Sequence, residues 1–320
     1  MSKVETSVVV PFRGDEKPLV RCLSALNGQT LRRCLEIVVS VDGPEPLSDT
    51  TAALADVVLA GPRGGPAAAR NRGWKGSAGA FVLFTDSDCA PEPDWAAAMV
   101  QALKEGADGV KGIYSKGGKR LIQRLAQVEF RERYRILASA KKVDMVDTYS
   151  AGFRREALEK SGGFDESFPV PDHEDVDLSY RLESMGFKLA FTEDARVAHI
   201  HRDSWPAYFR MKHSRGRYRF RVLRSFPRKA GSDSYTPRCL KFQILLTLLL
   251  PPAMAALPIT PLPLMLWTLL FILCCMPLFR VALRRDAAVA PFVFPFALWR
   301  ALALTSGLLA GIFQLRREKE

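Results

Sequence analysis

The stretch "AFVLFTDSDCAPEPDW", Ala80 to Trp95, carries two aspartates one residue apart at the end of an apolar run and then stops at prolines. Ala80 to Thr85 reads as a buried strand. Two carboxylates that close repel each other unless a cation or strong donors lie between them. A plainer reading is a strand end followed by a helix start, with Asp88 or Asp94 as a cap and Pro91 or Pro93 in the first turn. The choice turns on what else gathers at that strand end.

Three further runs share the pattern of "AFVLFTDSD": "TSVVVPF" (Thr6–Phe12), "LEIVVSVDG" (Leu35–Gly43) and "ADVVLAG" (Ala55–Gly61). Each is short, rich in β-branched residues and closed by turn residues. Helix-like patterns over Lys17 to Asn27 and Pro66 to Ser77 lie between them. Strands alternating with amphipathic helices predict an α/β domain with a mostly parallel sheet. In such sheets ligands bind at the carboxyl ends of the strands. Pro11, Phe12 and Arg13, then Asp42, then Asp86 and Asp88 all fall there. Asp42 also suits a simple turn before Gly43 and Pro44. Arg70 and Asn71, in "GPAAARNRG", sit on a helix aimed at the same edge. A guanidinium there suits a diphosphate; a solvated helix arginine is the alternative.

The second half of this region carries "SGGFDESFPVPDHEDVDLSYRLESMGFKLAF", residues 161–191. A helix is expected from about Asp175 or Val176, and acids at its start favour the helix dipole. Asp177 and Arg181 are spaced to pair on one face. Glu174 and Asp175, where the chain enters the helix, remain as candidates for proton transfer. His199 and His201, in "VAHIHRDSW", follow a predicted strand, and alternation sends both to one face. A paired-histidine metal site and hydrogen-bonded packing both fit that pattern.

Charge is unevenly distributed over the 320 residues. The formal net charge is +12, yet residues 1–195 hold 26 basic and 29 acidic side chains, and residues 196–241 hold 13 and 2. A near-neutral body with one basic segment is unlike a nucleic-acid-binding domain, whose whole face is basic. No nucleic-acid partner is expected. From Phe242 to Phe279 there are 38 residues without a charge. As one helix they would run about 57 Å, nearly twice the roughly 30 Å hydrocarbon core. The prolines of "LPITPLP", Leu257 to Pro263, split the run into two halves. Lys241 precedes the first half, and Arg280, Arg284 and Arg285 follow the second. Basic outer ends predict a transmembrane hairpin with both ends on the cytoplasmic side. A third apolar stretch, Ala287 to Leu315, is interrupted by Arg300 and closes with "RREKE", which favours an interfacial or re-entrant segment over a span. "MSKVETSVVVPF" has no apolar signal region, so the N-terminal body is expected in the cytoplasm, beneath the inner membrane. The six cysteines form no C-x-x-C pair and read as reduced packing residues.

In order, "VVVPF", "SVDG", "GPAAARNRG", "FTDSD", "GGFDE", "HEDVDLSYR" and "ARVAHIH" resemble the family 2 glycosyltransferases, which have the GT-A fold, over roughly residues 5–220. The resemblance implies a catalytic domain over 1–200, a basic juxtamembrane segment over 201–241 and a membrane region over 242–320. It implies inverting transfer from a nucleotide diphosphate-sugar, usually of uridine or guanosine, with bound Mg2+ or Mn2+. By the same resemblance Asp88 would be a direct ligand and Asp86 a contact to metal or ribose, which suits hard divalent cations, since these take carboxylate and phosphate oxygens. Pro11, Phe12, Arg13 and Asp42 would line the nucleoside pocket, with Arg70 near the diphosphate. Asp175 matches the general base, Glu174 would brace it or meet the acceptor, and His199 would stand near the metal or diphosphate. One departure is "VDG", where many members have two adjacent aspartates. A GT-A domain that binds nucleotide sugar without catalysis is the alternative.

"WPAYFRMKHSRGRYRFRVLRSFPRK", Trp205 to Lys229, interleaves aromatics with arginine directly before the hairpin. Such a segment suits anionic lipid headgroups, at about 1 kcal/mol per cation. The helix-like Lys119 to Ala138 reads either as an acceptor-side flank or as a solvated amphipathic helix. A membrane-associated acceptor, glycolipid or lipid-linked saccharide, follows from the anchor's location.

Overall fold

The computed structural model describes residues 4–168, 172–231 and 233–317. The chain divides into two compact units: Met1–Lys116 with Leu137–Ile200, and Gly117–Ile136 with His201–Glu320. The segment 117–136, expected within the N-terminal domain, therefore groups with the second unit.

The first unit is built on one eight-stranded sheet. In chain order its elements are β1 (Thr6–Phe12), α1 (Glu16–Asn27), β2 (Leu35–Asp42), α2 (Asp49–Ala52), β3 (Val57–Gly61), α3 (Gly65–Lys75), β4 (Phe81–Thr85), β5 (Ala90–Pro91), α4 (Trp95–Lys104) and β6 (Gly109–Lys116). Helix α5 (Leu121–Ser139) follows, then β7 (Ser150–Arg154), α6 (Arg155–Ser161), α7 (Glu174–Ser184) and β8 (Leu189–Ala198). The strand order is β3-β2-β1-β4-β7-β6-β8-β5. Strands β3, β2, β1 and β4 are mutually parallel, as the alternating sequence predicts. Beyond β4 the sheet is mixed, because β7 runs antiparallel to both β4 and β6, and β8 is parallel to β6.

Strands β1, β2 and β4 are buried on both faces, which is why they read as continuous apolar runs, whereas β3 at the sheet edge is partly exposed. Val8, Val9, Val10, Ile37, Val38, Val39, Val82, Leu83 and Phe84 are fully buried. Asp15 caps α1 by accepting from the Lys17 amide, and Leu19, Cys22, Leu23 and Leu26 form the buried face of that helix. Helix α3 is pressed against the sheet at Gly73, where a Cβ would lie 2.3 Å from Val9 Cγ1. That close approach sets where Arg70 and Asn71, one turn earlier, emerge.

The second unit is helical: most of α5, then α8 (Trp205–Ser225), α9 (Arg238–Ala255), α10 (Leu262–Arg285) and α11 (Val293–Arg317). Ile122, Leu125 and Val128 of α5 share a core with Tyr208 of α8, Phe271 and Leu278 of α10, and Phe296 of α11. The break between α9 and α10 falls in "LPITPLP", as predicted. Arg238–Ala255, Leu262–Arg285 and Ala287–Gln314 are each long and apolar enough to cross a membrane. Leu245, Leu249, Met265, Leu269 and Leu273 are more than half exposed along α9 and α10. Apolar surface of that extent marks a lipid or partner face.

Helix α5 is not a solvated amphipathic helix. Its Glu129 is 1% exposed and accepts from Lys212 Nζ at 2.7 Å, Arg133 Nη2 at 2.5 Å and Tyr208 Oη at 2.7 Å. Burial alone would raise this carboxyl, but Lys212 and its neighbouring arginines reverse the effect and hold it well below the usual carboxylate range. Arg300 of α11 donates to Gln243 Oε1 at 2.9 Å and lies 3.7 Å from Glu129.

Candidate active site

The carboxyl ends of β1, β2 and β4 lie along one edge of the sheet, and the loops after them supply the polar groups. Phe12 is buried, Pro11 is half-buried and Arg13 is exposed. Arg13 Nη1 lies 4.0 Å from Asp42 Oδ2. Asp42 is 5% exposed and does more than close a turn: it accepts from the amides of Gly64 at 2.7 Å and Gly65 at 3.1 Å. These amides stand at the start of α3, whose own cap position is a glycine without a side chain. A carboxylate there satisfies orphan donors and complements the helix dipole.

Arg70 is the hinge of the arrangement. Its side chain is 4% exposed, with Nη2 on Asp86 Oδ1 at 2.9 Å and Nη1 on Glu174 Oε1 at 2.5 Å. The solvated-arginine reading is thereby set aside. Asn71 beside it binds the segment leading to α7, accepting from the Phe164 amide and donating to the Phe164 carbonyl, both at 2.9 Å. "ARN" thus ties the acidic motif of α7 to the sheet edge carrying Asp86.

The two acids at the start of α7 stand in different environments. Glu174 is 2% exposed; burial pushes its carboxyl up, and Arg70 opposes that shift. Its Oε2 has no hydrogen-bond partner among the described residues. Asp175 is partly exposed, with Oδ1 accepting from the Val176 amide at 2.8 Å and Oδ2 3.4 Å from the Thr148 amide. Just before them His173 holds a left-handed conformation, φ +74°. Such a backbone costs about 1–3 kcal/mol in a non-glycine residue. The i, i+4 pair Asp177–Arg181 forms at 2.8 Å.

After β4, Asp86, Asp88 and Cys89 each bring a ligand-type atom to within 4.8 Å of one another. The Asp88 side chain is 56% exposed, and its Oδ2 lies 3.3 Å from His199 Nε2. Arg21 Nη2 holds the Asp88 carbonyl at 2.8 Å, fixing the turn. Burial, then the charges of Asp86 and Asp88, push the Cys89 thiol well up, so it stays protonated. The donors left are two carboxylates and an imidazole, a set that fits a hard divalent cation such as Mg2+ or Mn2+.

His199 stacks on Tyr114, with centroids 4.9 Å apart, and Tyr114 stacks on Tyr149. Tyr114 was not legible as a site residue, because β6 reads "GVKGIYSK", with two glycines and two lysines and only Ile113 β-branched beside it. His201 does not join His199: in the second unit its Nε2 meets Gln127 Oε1 at 2.8 Å and its ring stacks on Phe130. Strand β8 ends at Ala198, so strand alternation no longer governs either histidine.

The parallel half of the sheet, with a buried Arg–carboxylate fork and a pair of carboxylates beyond β4, belongs to an α/β domain of the GT-A type. Residues 7–162 match the Glycosyl transferase family 2 profile, and the chain carries a domain of that family. The chain is 30% identical over 221 residues to the pre-mycofactocin glycosyltransferase of Mycobacterium tuberculosis, a match covering 62% of this chain and 43% of that protein. It is 26% identical over 216 residues to the glycosyltransferase AglE of Haloferax volcanii, covering 60% of this chain and 66% of that one. The chain thus spans less than half the length of the first of these relatives. In fold it is similar to the mannosyltransferase PcManGT of Pyrobaculum calidifontis, solved with GDP-Man and Mn2+: TM-score 0.60 at 16% identity, over 97% of this chain and 87% of that one.

Proposed function

We propose that this chain is a membrane-anchored inverting glycosyltransferase that moves a sugar from a UDP- or GDP-sugar to an acceptor hydroxyl at the membrane surface. The observation that carries the reading is the Arg70 fork, which brings Asp86 and the Glu174–Asp175 pair to one sheet edge. Pro11, Phe12, Arg13 and Asp42 would line the nucleoside end, and Asp86, Asp88 and His199 would hold the metal and diphosphate end. A bound Mg2+ or Mn2+ supplies charge neutralisation for the departing diphosphate.

Asp175 is the general base. Glu174 is buried and engaged by Arg70, whereas Asp175 is partly open and its carboxylate is oriented by backbone amides. The acceptor oxygen forms a bond to the anomeric carbon as the bond from that carbon to the diphosphate oxygen breaks. The hydroxyl proton passes to Asp175, and the electron pair leaves on the nucleoside diphosphate. The positive character gathering on the sugar is that of an oxocarbenium ion. Glu174 keeps Arg70 in place and so positions Asp86.

The hairpin α9–α10 anchors the protein in the inner membrane with the first unit in the cytoplasm, next to a glycolipid, lipid-linked saccharide or cell-envelope polysaccharide acceptor. In membranes containing the full chain, Asp175→Asn should lower the transfer rate about 100- to 10,000-fold, the usual contribution of a general base. Asp88→Ala should remove metal-dependent thermal stabilisation by the cognate nucleotide sugar, which binds the folded state selectively. Transfer at the unaltered rate in both variants would overturn the assignment.

A further inference from the structure

Near their C-terminal ends α8 and α11 line an open cavity of about 480 Å³. Arg217, Arg221 and Arg224 line it from α8, at a spacing that places all three on one helix face. Gly311 and Gln314 line it from α11. A Cβ at Gly311 would lie 2.7 Å from the Arg217 carbonyl oxygen, so the glycine is what lets the two helices meet. Arg217 Nε donates to Gln314 Oε1 at 2.7 Å, which fixes that guanidinium on the cavity wall. Arg224 is exposed at the rim.

Three guanidiniums around a concave space suit an anion that accepts forked hydrogen bonds, above all a phosphate. The rest of α11 indicates what carries the phosphate. Leu309 and Phe313, an i, i+4 pair, are 41% and 60% exposed on a helix apolar enough for a membrane. A free phosphate would use none of that surface, whereas a lipid uses both parts. We propose that the Arg217–Arg221–Arg224 cavity binds the phosphate of an anionic phospholipid headgroup, with the acyl chains along Leu309 and Phe313. The site rests on the membrane reading above and is independent of sugar transfer.

The test uses the full chain purified in neutral detergent, with lipid retention read by native mass spectrometry and stability by thermal unfolding. Phosphatidylglycerol should be retained and raise the midpoint, while phosphatidylcholine and inorganic phosphate should do neither. Arg224→Gln, at an exposed side chain, should weaken phosphatidylglycerol binding about fivefold, and Arg221→Gln with Arg224→Gln about 25-fold, at one increment per surface cation. Arg228→Gln with Lys229→Gln removes the same charge outside the cavity and should leave affinity unchanged. Unchanged affinity in the cavity variants overturns the site. An equal loss in the control pair likewise overturns the site, and an equal shift from inorganic phosphate overturns its assignment to a lipid. Nucleotide sugar is absent from the assay, so failure of the transfer reading would leave this result standing.

Discussion

Arg70 is held by two carboxylates that lie 16 and 104 residues away along the chain. Neither partner could be read from "GPAAARNRG", because the contacts depend on how α3 packs on the sheet and how α7 returns to it. The helix itself, its Gly-Pro start and its direction toward the strand ends were legible. What burial adds is a large energetic consequence. Replacing Arg70 by alanine leaves the Glu174 carboxyl at 2% exposure without its cation, and breaking a buried pair this way costs roughly 3–5 kcal/mol. Chemical unfolding of the full chain should show that loss in Arg70→Ala and recover a large part of it in Arg70→Ala with Glu174→Gln. Equal stability of the single and double variants would mean that the Glu174 charge is not the source. Lys111 teaches the same lesson. Fully buried in mid-strand and paired with Asp147 and Tyr149, it looks in sequence like a surface residue.

At the scale of elements, legibility followed periodicity. Thr6–Phe12 and Leu35–Asp42 stand almost as the apolar runs predict, since strands buried on both faces leave unbroken patterns. The mixed half of the sheet was not anticipated, because β7 and β8 join it through pairings far apart in sequence. The segments that form α8 and α11 stood out by composition, one basic and aromatic and the other apolar, but neither their helices nor the contact between them was legible. It is made by glycines whose role appears only in the packed pair: a Cβ at Gly307 would lie 2.0 Å from the His213 carbonyl oxygen, and one at Gly216 2.4 Å from that of Leu304. Backbone atoms cannot swing aside as side-chain tips do. Gly307→Ala should therefore separate the helices and cost about 1–3 kcal/mol, the range for overpacking. Limited trypsin digestion should cut the arginines of α8 faster in that variant. Gly231→Ala, at a site with nothing within 4 Å, serves as the neutral comparison. Similar digestion of both would show that the close approach is not needed.

For the molecule as a whole, the open matter is how many of its apolar helices cross the bilayer. Arg238–Ala255, Leu262–Arg285 and Ala287–Gln314 all have the length and composition. The third differs in its surroundings: 44% of its most apolar window is buried in the protein, against 22% for each of the others. Along Leu304 to Gly311 its neighbour is α8, which carries Arg215, Arg217, Arg219 and Arg221. Each arginine at the centre of a bilayer costs about 2.5–3.5 kcal/mol on insertion scales, so several together would outweigh the gain from burying α11. On that ground the expectation is that the pair α8–α11 rests at the membrane surface and that α9–α10 alone crosses. Lys241 before α9 and the arginines ending α10 then lie on one side, as basic flanks require. The prediction concerns the C-terminus. With two spans it shares a side with the N-terminus, whereas with three it shares a side with the exposed turn at Ile259. Epitope tags at both termini and at Ile259, probed with protease on sealed vesicles of known orientation, separate the cases. Two spans require the Ile259 tag to be cut on the face where both terminal tags are protected. Cleavage of the C-terminal tag together with the Ile259 tag would place α11 across the membrane and take α8 off the lipid surface.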